Sequence, residues 1–189
     1  MKMRQPRRTK PHRIIRPQRP APLESPVEIP DNLYELVFAL LGQPDDGSEF
    51  TKLVQQIGPP SRQYDIGQHR FYDYYAYGLN FNFYKERNSI SHITFHFNTA
   101  GVRSGEIHPY RGALPADIAW TDSCLEAEKK LGQKPEKEGW VAGCNGNTCD
   151  PKSRASDYWK SYNIDHFNYT LIFESDIGGL AMLSMLLYS

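Results

Sequence analysis

Two histidines four residues apart, His92 and His96, are the first candidates for chemistry in this sequence. On a helix this H-x-x-x-H spacing would place both imidazoles on one face, where they could hold a zinc ion. Apolar Ile93, Phe95 and Phe97 alternate with polar residues here, however, and such alternation is typical of a β-strand. On a strand the two histidines lie ~13 Å apart, too far to share one ion. We therefore expect no metal site at this position.

The three cysteines, Cys124, Cys144 and Cys149, are the next candidates. Cys144 and Cys149 lie in the Gly- and Asn-rich segment GCNGNTCD, whose turn can bring two sulfurs together. The residues leave three alternatives open: free thiols, a labile disulfide between Cys144 and Cys149, or a zinc site completed by Cys124 and a distant His or Asp.

Motifs for catalysis or cofactor binding are absent from the sequence. It contains no nucleophile elbow, P-loop, dinucleotide-binding glycine fingerprint or H-E-x-x-H pair. Acids do lie beside a His or a Cys in GEIH (105–108) and DSC (122–124), but short clusters of this kind are typical of solvated turns. We therefore predict a protein that is not an enzyme and that binds no cofactor.

A polar surface with aromatic neighbours is the strongest functional signal. The segment GLNFNFYKERNSISHITFHF (78–97) predicts two strands with one apolar and one polar side. Four tyrosines crowd the preceding strand, and rigid Tyr beside Asn and His is typical of protein interfaces. The predicted protein-binding residues are Tyr72, Tyr74, Tyr75, Tyr77, Asn80, Asn82, His92, Thr94, His96, Trp159 and Tyr162.

Three segments are predicted to be helices that support these strands. DNLYELVFALLGQP and SEFTKLVQQIGPP space their apolar residues every three or four positions and end at Gly and Pro. TDSCLEAEKKLGQKP offers Thr121 or Ser123 as an N-cap and ends at Gly132.

The second half of the chain repeats the order of the first: helix, a stop of the L-G-x-P type, aromatic hairpin, strand. We therefore predict an α+β fold with two tandem repeats, each a helical segment packed on an antiparallel sheet. The predicted domains are residues 32–104 and residues 105–189, the latter with a Cys-containing loop insertion at 139–155. Outward positions of the second repeat, which are unusually apolar and suggest cover by another element or a partner, are Thr170, Ile172, Met182, Ser184 and Leu186.

Residues 1–31 differ from the rest in composition, with seven prolines and eight basic against three acidic residues. Such a segment buries too little apolar surface to offset its ordering entropy, so a disordered basic tail is predicted. The remaining residues hold 14 basic and 19 acidic side chains, a formal charge of −5. No run of about 18 apolar residues and no secretory signal pattern occurs, which predicts a cytoplasmic protein outside the membrane.

The repeat pattern resembles known families. A helix closing on L-G-x-P, followed by strands of the type Y-x-x-x-G-L-x-φ-x-F and I-x-x-I-x-φ, is similar to BamE, an outer-membrane assembly lipoprotein. Two such units in tandem resemble the β-lactamase inhibitory protein (BLIP-like). The link YRGALPADIAWTDS is similar to that of bacterial cytoplasmic proteins suspected to be immunity proteins.

The resemblance covers residues 32–189 and implies an inhibitor that neutralises a toxin or enzyme by covering it with the exposed sheet face. We therefore expect a protein partner, such as a cognate toxin. The acidic body would suit a partner with a basic surface. Two alternatives remain open: a nucleic-acid-associated protein that uses residues 1–31, and a small enzyme or ligand-binding domain.

Overall fold

A computed structural model of the protein describes residues 27–97, 107–140, 144–145, 148–149, 157–174 and 179–187. The three α-helices are α1 (Leu33–Phe38), α2 (Ser48–Ile57) and α3 (Cys124–Leu131). The strands are β1 (Arg62–Ile66), β2 (His69–Tyr74), β3 (Leu79–Tyr84), β4 (Ser89–His96), β5 (Lys137–Trp140), β6 (Cys144–Asn145), β7 (Thr148–Cys149), β8 (Asp157–Ile164), β9 (Phe167–Glu174) and β10 (Leu180–Leu187).

Eight of these strands form one antiparallel sheet, in the order β1-β2-β3-β4-β10-β9-β8-β5. The prediction of two tandem helix-plus-sheet repeats is therefore wrong: the described residues form one continuous sheet with three short helices. The last strand of each half supplies the reason, because β4 and β10 pair with each other along five register positions. Without this pairing, each half would have an exposed strand edge with unpaired backbone N–H and C=O groups. The β4–β10 pairing satisfies these groups.

The β4–β10 junction also merges the two halves into one hydrophobic core. Ile93 lies opposite Met185, and Phe95 lies opposite Leu183, on the side of the sheet that the helices cover. All four side chains are fully buried. Residues from α1, α2 and α3 belong to the same buried cluster as both sets of strands. The core therefore does not divide at the middle of the sheet.

The three predicted helices form, and their ends follow local sequence. α3 begins after Ser123, whose side chain accepts from the Glu126 backbone while the Glu126 carboxylate accepts from the Ser123 backbone, a capping box. Of the two N-caps that the sequence allowed, Ser123 is the one used. α3 ends at Gly132 in the left-handed conformation. α2 has Gly47 as its N-cap and Ser48 as its first helical residue.

The aromatic hairpin, which β2 and β3 form, turns at Gly78. A 3₁₀ turn (Tyr75–Tyr77) follows β2, and Gly78 then takes a left-handed conformation with φ 64°. The connector passes against this turn: His108 N donates to Tyr75 O at 2.8 Å, and Tyr110 N donates to His96 O at 2.7 Å. Tyr110 enters the core and packs edge-on against Phe95 at 4.8 Å between ring centroids. The connector is thereby fixed to the end of the sheet.

Several predictions concern residues outside the described part of the chain. Of the predicted tail, residues 1–26 lie outside it, as does the boundary between 104 and 105. Of the predicted insertion 139–155, the described residues are 139–140 and the short strands β6 and β7, which pair with each other. The tail, the domain boundaries and the insertion therefore stay predictions.

Candidate functional site: the polar face of the sheet

The two faces of the sheet have opposite chemistry. The described helices pack on one face, where the cross-strand row runs Tyr72, Phe81, Ile93, Met185, Tyr169 and Tyr162. We call the other side the polar face. Its central row crosses all eight strands with a polar residue at every position: Arg62, Asp73, Asn80, Thr94, Ser184, Thr170, Ser161 and Lys137.

On the first half of the polar face, Asp73 is the centre of a hydrogen-bond cluster. Its carboxylate accepts from the Asn80 side-chain amide and, at 3.2 Å, from the Tyr75 hydroxyl. Asp73 is 8% exposed, and this burial raises the pKa of its carboxyl group above the ordinary value, against the effect of those two donors. The neighbouring Arg62 guanidinium stacks over the Tyr64 ring at 4.5 Å. This end of the face is therefore preorganised, with its acceptor already partnered.

The two halves of the polar face are joined by a side-chain hydrogen bond across the β4–β10 junction. His92 Nε2 and the Ser184 hydroxyl are partners, and the Thr94 hydroxyl lies 3.4 Å from the same nitrogen. On the other side of His92 in the register lies Asn82, whose side-chain oxygen bonds His69 Nδ1 at 2.8 Å. A run of polar side chains thus continues from β2 to β10.

Amides and hydroxyls continue the network on the second half. Asn168 donates to the Ser161 hydroxyl at 2.8 Å and to the Asn163 side-chain oxygen at 2.7 Å. The Thr170 hydroxyl donates to Asn168 at 3.1 Å. These contacts hold each amide in one orientation, so the face presents fixed donors and acceptors rather than mobile charged chains.

A third row adds apolar surface beside the polar one. It contains His96, Met182, Ile172, Trp159 and Gly139, in register across β4, β10, β9, β8 and β5. A Cβ at Gly139 would lie 3.1 Å from the Trp159 Nε1, so the glycine leaves room for the indole ring. Trp159 is half-buried, as are Met182 and Ile172. A large aromatic group flanked by polar groups is the composition of a protein interface core.

Burial lowers the pKa of both His92 and His96, because the sheet around them desolvates the imidazolium form. Both side chains are therefore neutral at pH 7, and the polar face is uncharged along its middle. Between Arg62 on β1 and Lys137 on β5, its central row carries one ionisable residue, Asp73.

These shifts predict an acid-sensitive fold. As the pH falls through about 6.5, the usual histidine value, the unfolded chain binds protons that the folded protein does not. The free energy of unfolding should therefore decrease from pH 8 toward pH 5. Its slope against pH should be steeper than in the double variant His92→Gln/His96→Gln. Urea unfolding of each protein at a series of pH values measures both slopes. Asp73 acts in the opposite direction, because its raised pKa favours the folded state at low pH, but it is common to both proteins. Equal slopes in the two proteins would contradict the prediction.

The Ser184–His92 pair resembles the hydroxyl–imidazole contact that activates a serine nucleophile. Ser184 is only 5% exposed, however. Among the hydrogen bonds of the described residues, none links a carboxylate to this imidazole. The pair therefore lacks the access and the orienting group of a catalytic triad, and its visible role is to join β4 to β10.

The structure places six of the predicted binding residues on the polar face: Asn80, Asn82, His92, His96 and Trp159, which are partly exposed, and Thr94, which is buried at 8% exposure. Tyr75 lies at its margin, 9% exposed and bonded to Asp73. Their role in binding stays a prediction.

Tyr72, Tyr74 and Tyr162 are not available to a partner, and their assignment to an exposed surface is wrong. They are 4%, 1% and 0% exposed, since strand alternation turns all three toward the helices. Tyr77 packs partly against the same core. Once one position of β2 is known to face inward, strand alternation alone places Tyr72 and Tyr74 inward and Asp73 outward.

Sequence reasoning overlooked Arg62, Asp73, Ser161 and Asn168 on the polar face. Each is a common surface residue type, so nothing in its own identity marks it. The signal that could have found them is register: a straight cross-strand row becomes visible when the strand order is known. Ser184 and Thr170 were predicted to point outward, and they do.

The histidines do not form a metal site with other ligands in the described ranges, where no three His, Cys, Asp or Glu side chains come close enough to hold an ion. His92 and His96 lie two rows apart on the same strand, as the alternation predicted. For the part of the chain that is described, no helix has the length and apolar character needed to cross a membrane.

Comparisons with known proteins give a fold likeness and no family. The sequence matches no protein-family model and no curated protein. An extracellular protein from Bacillus anthracis that contains an SCP domain is similar in structure, with a TM-score of 0.52 and 9% identity over 87% of this chain. A DUF4309 family protein (YjgB) from Bacillus subtilis gives a TM-score of 0.45 and 14% identity, over 82% of this chain and 93% of its own.

The chain spans 49% of the length of the Bacillus anthracis protein. At 9% identity, this likeness shows the fold alone. The resemblance to the BamE-like and BLIP-like groups is not tested by these comparisons and stays a prediction.

Proposed function

We propose that the protein binds another protein through the polar face and, by covering it, acts as an inhibitor. The observation that carries the proposal is the central row of eight polar residues beside Trp159, on the side of the sheet away from the described helices. A face built only for solvation needs no ordered amide network and no half-buried tryptophan. Rigid donors and acceptors around an aromatic group are what a specific protein contact requires.

The dimensions of the face suit an interface of ordinary size. Eight strands at a spacing of about 4.8 Å make a face about 34 Å wide. A standard interface buries about 800 Å² on each partner, and a circular patch of that area is about 32 Å across. One partner domain can therefore cover the whole width of the sheet.

The chemistry favours a protein over a nucleic acid. Phosphate recognition needs several Lys or Arg side chains on the contact surface. The central row has Arg62 and Lys137 at its two ends. None of the six residues between them is a Lys or an Arg. Neutral amides and hydroxyls instead match backbone and side-chain groups of a protein. A nucleic-acid role through residues 1–31 is the alternative that the basic tail suggests.

The inhibitor role is our extension of the binding proposal, and it rests on the resemblance to BLIP-like and immunity proteins. The acidic body, with 19 acidic against 14 basic residues after position 31, favours a basic partner such as a nuclease toxin, because complementary charge speeds encounter. A cytoplasmic location belongs to the same proposal.

Site-specific photo-crosslinking tests where a partner binds. A photoreactive phenylalanine analogue at Met182, on the polar face, should capture a protein in extracts of the source cells. The same analogue at Leu125, which is 76% exposed on α3, should not capture it. Capture at both positions, or at Leu125 alone, would argue against the polar face.

Affinity measurements then test the face by substitution. With the captured protein purified, Trp159→Ala should weaken binding by about 2 kcal/mol or more, about 30-fold in Kd, because a buried aromatic anchor is lost. Trp120→Ala is the control, since Trp120 is 41% exposed, stacks on Arg111 and belongs to none of the strands of the sheet. Equal Kd values for wild type and Trp159→Ala, measured by calorimetry, would remove this face from the proposal. Inhibition is tested separately by assaying the partner's own activity.

A further inference from the structure

A small hairpin outside the main sheet brings two cysteines into register. Strands β6 (Cys144–Asn145) and β7 (Thr148–Cys149) pair antiparallel, with Asn145 opposite Thr148 and Cys144 opposite Cys149. The hairpin lies in the connection between β5 and β8, which are neighbours in the main sheet. The backbone register therefore places the two cysteines directly opposite each other, which their spacing in the sequence alone does not show.

The position of this pair in the ladder is favourable for a bond. Asn145 and Thr148 are the innermost pair of this register, and the innermost pair of so short a hairpin is hydrogen-bonded. Hydrogen-bonded and non-hydrogen-bonded pairs alternate along an antiparallel ladder, so the next pair, Cys144 with Cys149, is non-hydrogen-bonded. Such pairs have Cα atoms about 4.5 Å apart, within the range of about 4.4–6.8 Å that disulfides require.

We propose that Cys144 and Cys149 form a cross-strand disulfide that closes the β6–β7 hairpin. In the reaction the two thiols lose two protons and two electrons and one S–S bond forms. The electrons pass to the disulfide of an oxidised thiol such as oxidised glutathione, which is released as two reduced molecules.

The third cysteine is engaged elsewhere. Cys124 is the first residue of α3, and its thiol feels the charge of Lys160, which pairs with Glu128. Burial raises the pKa of the Cys124 thiol, which lowers its thiolate fraction and slows exchange. Cys124 therefore serves as an internal reference in thiol counting.

The sequence offers a direct assay for this particular bond. Asn145–Gly146 is the one Asn-Gly peptide bond in the chain, and it lies between the two cysteines. Hydroxylamine cleaves Asn-Gly bonds, so it cuts the chain into residues 1–145 and 146–189. The two fragments stay together without reductant only when a disulfide spans the cut.

The full-length folded protein is incubated with oxidised glutathione, blocked with N-ethylmaleimide and cleaved under denaturing conditions. We expect the intact mass to fall by about 2 Da before blocking, one N-ethylmaleimide adduct instead of three after blocking, and fragments that separate only after reduction. Cys124→Ser should still lose the same mass and leave no blocked thiol. All three thiols blocked in the wild type, glutathione adducts in place of an internal bond, or linkage that disappears in Cys124→Ser would each overturn the proposal.

A variant with the cysteine moved by one position tests register against mere proximity. Thr148→Cys combined with Cys149→Ser places the two cysteines on opposite faces of the hairpin, because successive strand residues point to opposite sides. In a glutathione buffer of intermediate potential, the oxidised fraction of this variant should be at least tenfold lower than in the wild type. An equal fraction would show that a flexible loop, not the paired strands, brings the sulfurs together.

Discussion

Phe95→Ala is expected to lower the free energy of unfolding of the whole protein by about 3–5 kcal/mol. Phe95 is fully buried on β4, beside Leu79 of β3 and opposite Leu183 of β10. Its ring contacts Tyr110 of the connector at 4.8 Å and Tyr34 of α1 at 6.0 Å between centroids. Truncation removes apolar contact with both halves of the sheet at once and leaves a cavity that these rigid neighbours cannot fill.

Urea unfolding followed by two probes measures this effect and tests the fold as well. The fluorescence of the three tryptophans, Trp120, Trp140 and Trp159, reports on the second half of the chain, and far-ultraviolet circular dichroism reports on the whole sheet. In Phe95→Ala the two probes should shift together to lower urea, because β4 and β10 belong to one core. Leu125→Ala is the control: Leu125 is 76% exposed, so its loss should cost no more than about 0.5 kcal/mol. Separate transitions in Phe95→Ala would indicate halves that unfold independently.

Gly78→Ala is expected to lower the free energy of unfolding by about 3 kcal/mol, from two additive causes. Gly78 has φ 64°, a left-handed conformation that costs an L-residue about 1–2 kcal/mol. A Cβ there would also lie 2.6 Å from His108 O and 2.6 Å from Tyr110 N, both backbone atoms that cannot rotate away. The connector would have to leave the end of the sheet, and the Tyr110 ring would move with it.

Gly132→Ala separates the two causes. Gly132 has φ 70° at the end of α3, and nothing lies within 4 Å of its Cβ position. Its replacement should therefore cost only the conformational part, about 1–2 kcal/mol. Chemical denaturation gives the loss of unfolding free energy in each variant. The difference between the two losses measures the cost of the contact between the added Cβ and the connector. Equal costs at Gly78 and Gly132 would mean that the connector is not packed against the turn.

Local elements were predictable because their signals lie within a few residues. Ser123 and Glu126 encode the start of α3, and Gly132 encodes its end. The alternation of Asn80, Phe81 and Asn82 predicts a strand with two unlike faces, and β3 has them. For the same reason the polar side that includes His92 and His96 could be predicted, although its partners across the sheet could not.

The tyrosines show where such reasoning stops. Tyr72 and Tyr74 lie inward and Asp73 lies outward, yet a segment in which four of six residues are tyrosine gives no contrast between its two faces. Tyr162 has the same difficulty, since it follows Trp159, Lys160 and Ser161, of which Lys160 and Ser161 are both buried. The phase of alternation was therefore set by packing against the helices and not by residue type.

The sequence by itself determined where the three helices and the strands β3 and β4 lie, and which side of β3 and β4 is apolar. Those features depend on periodicity and backbone freedom, which act over short distances. Only the tertiary structure decided that β4 pairs with β10, and hence that the chain builds one sheet where two repeats were predicted. Strand edges carry the same backbone donors and acceptors whatever their sequence, so pairing between Ile93 and Met185, or between His92 and Ser184, follows from how the two halves pack.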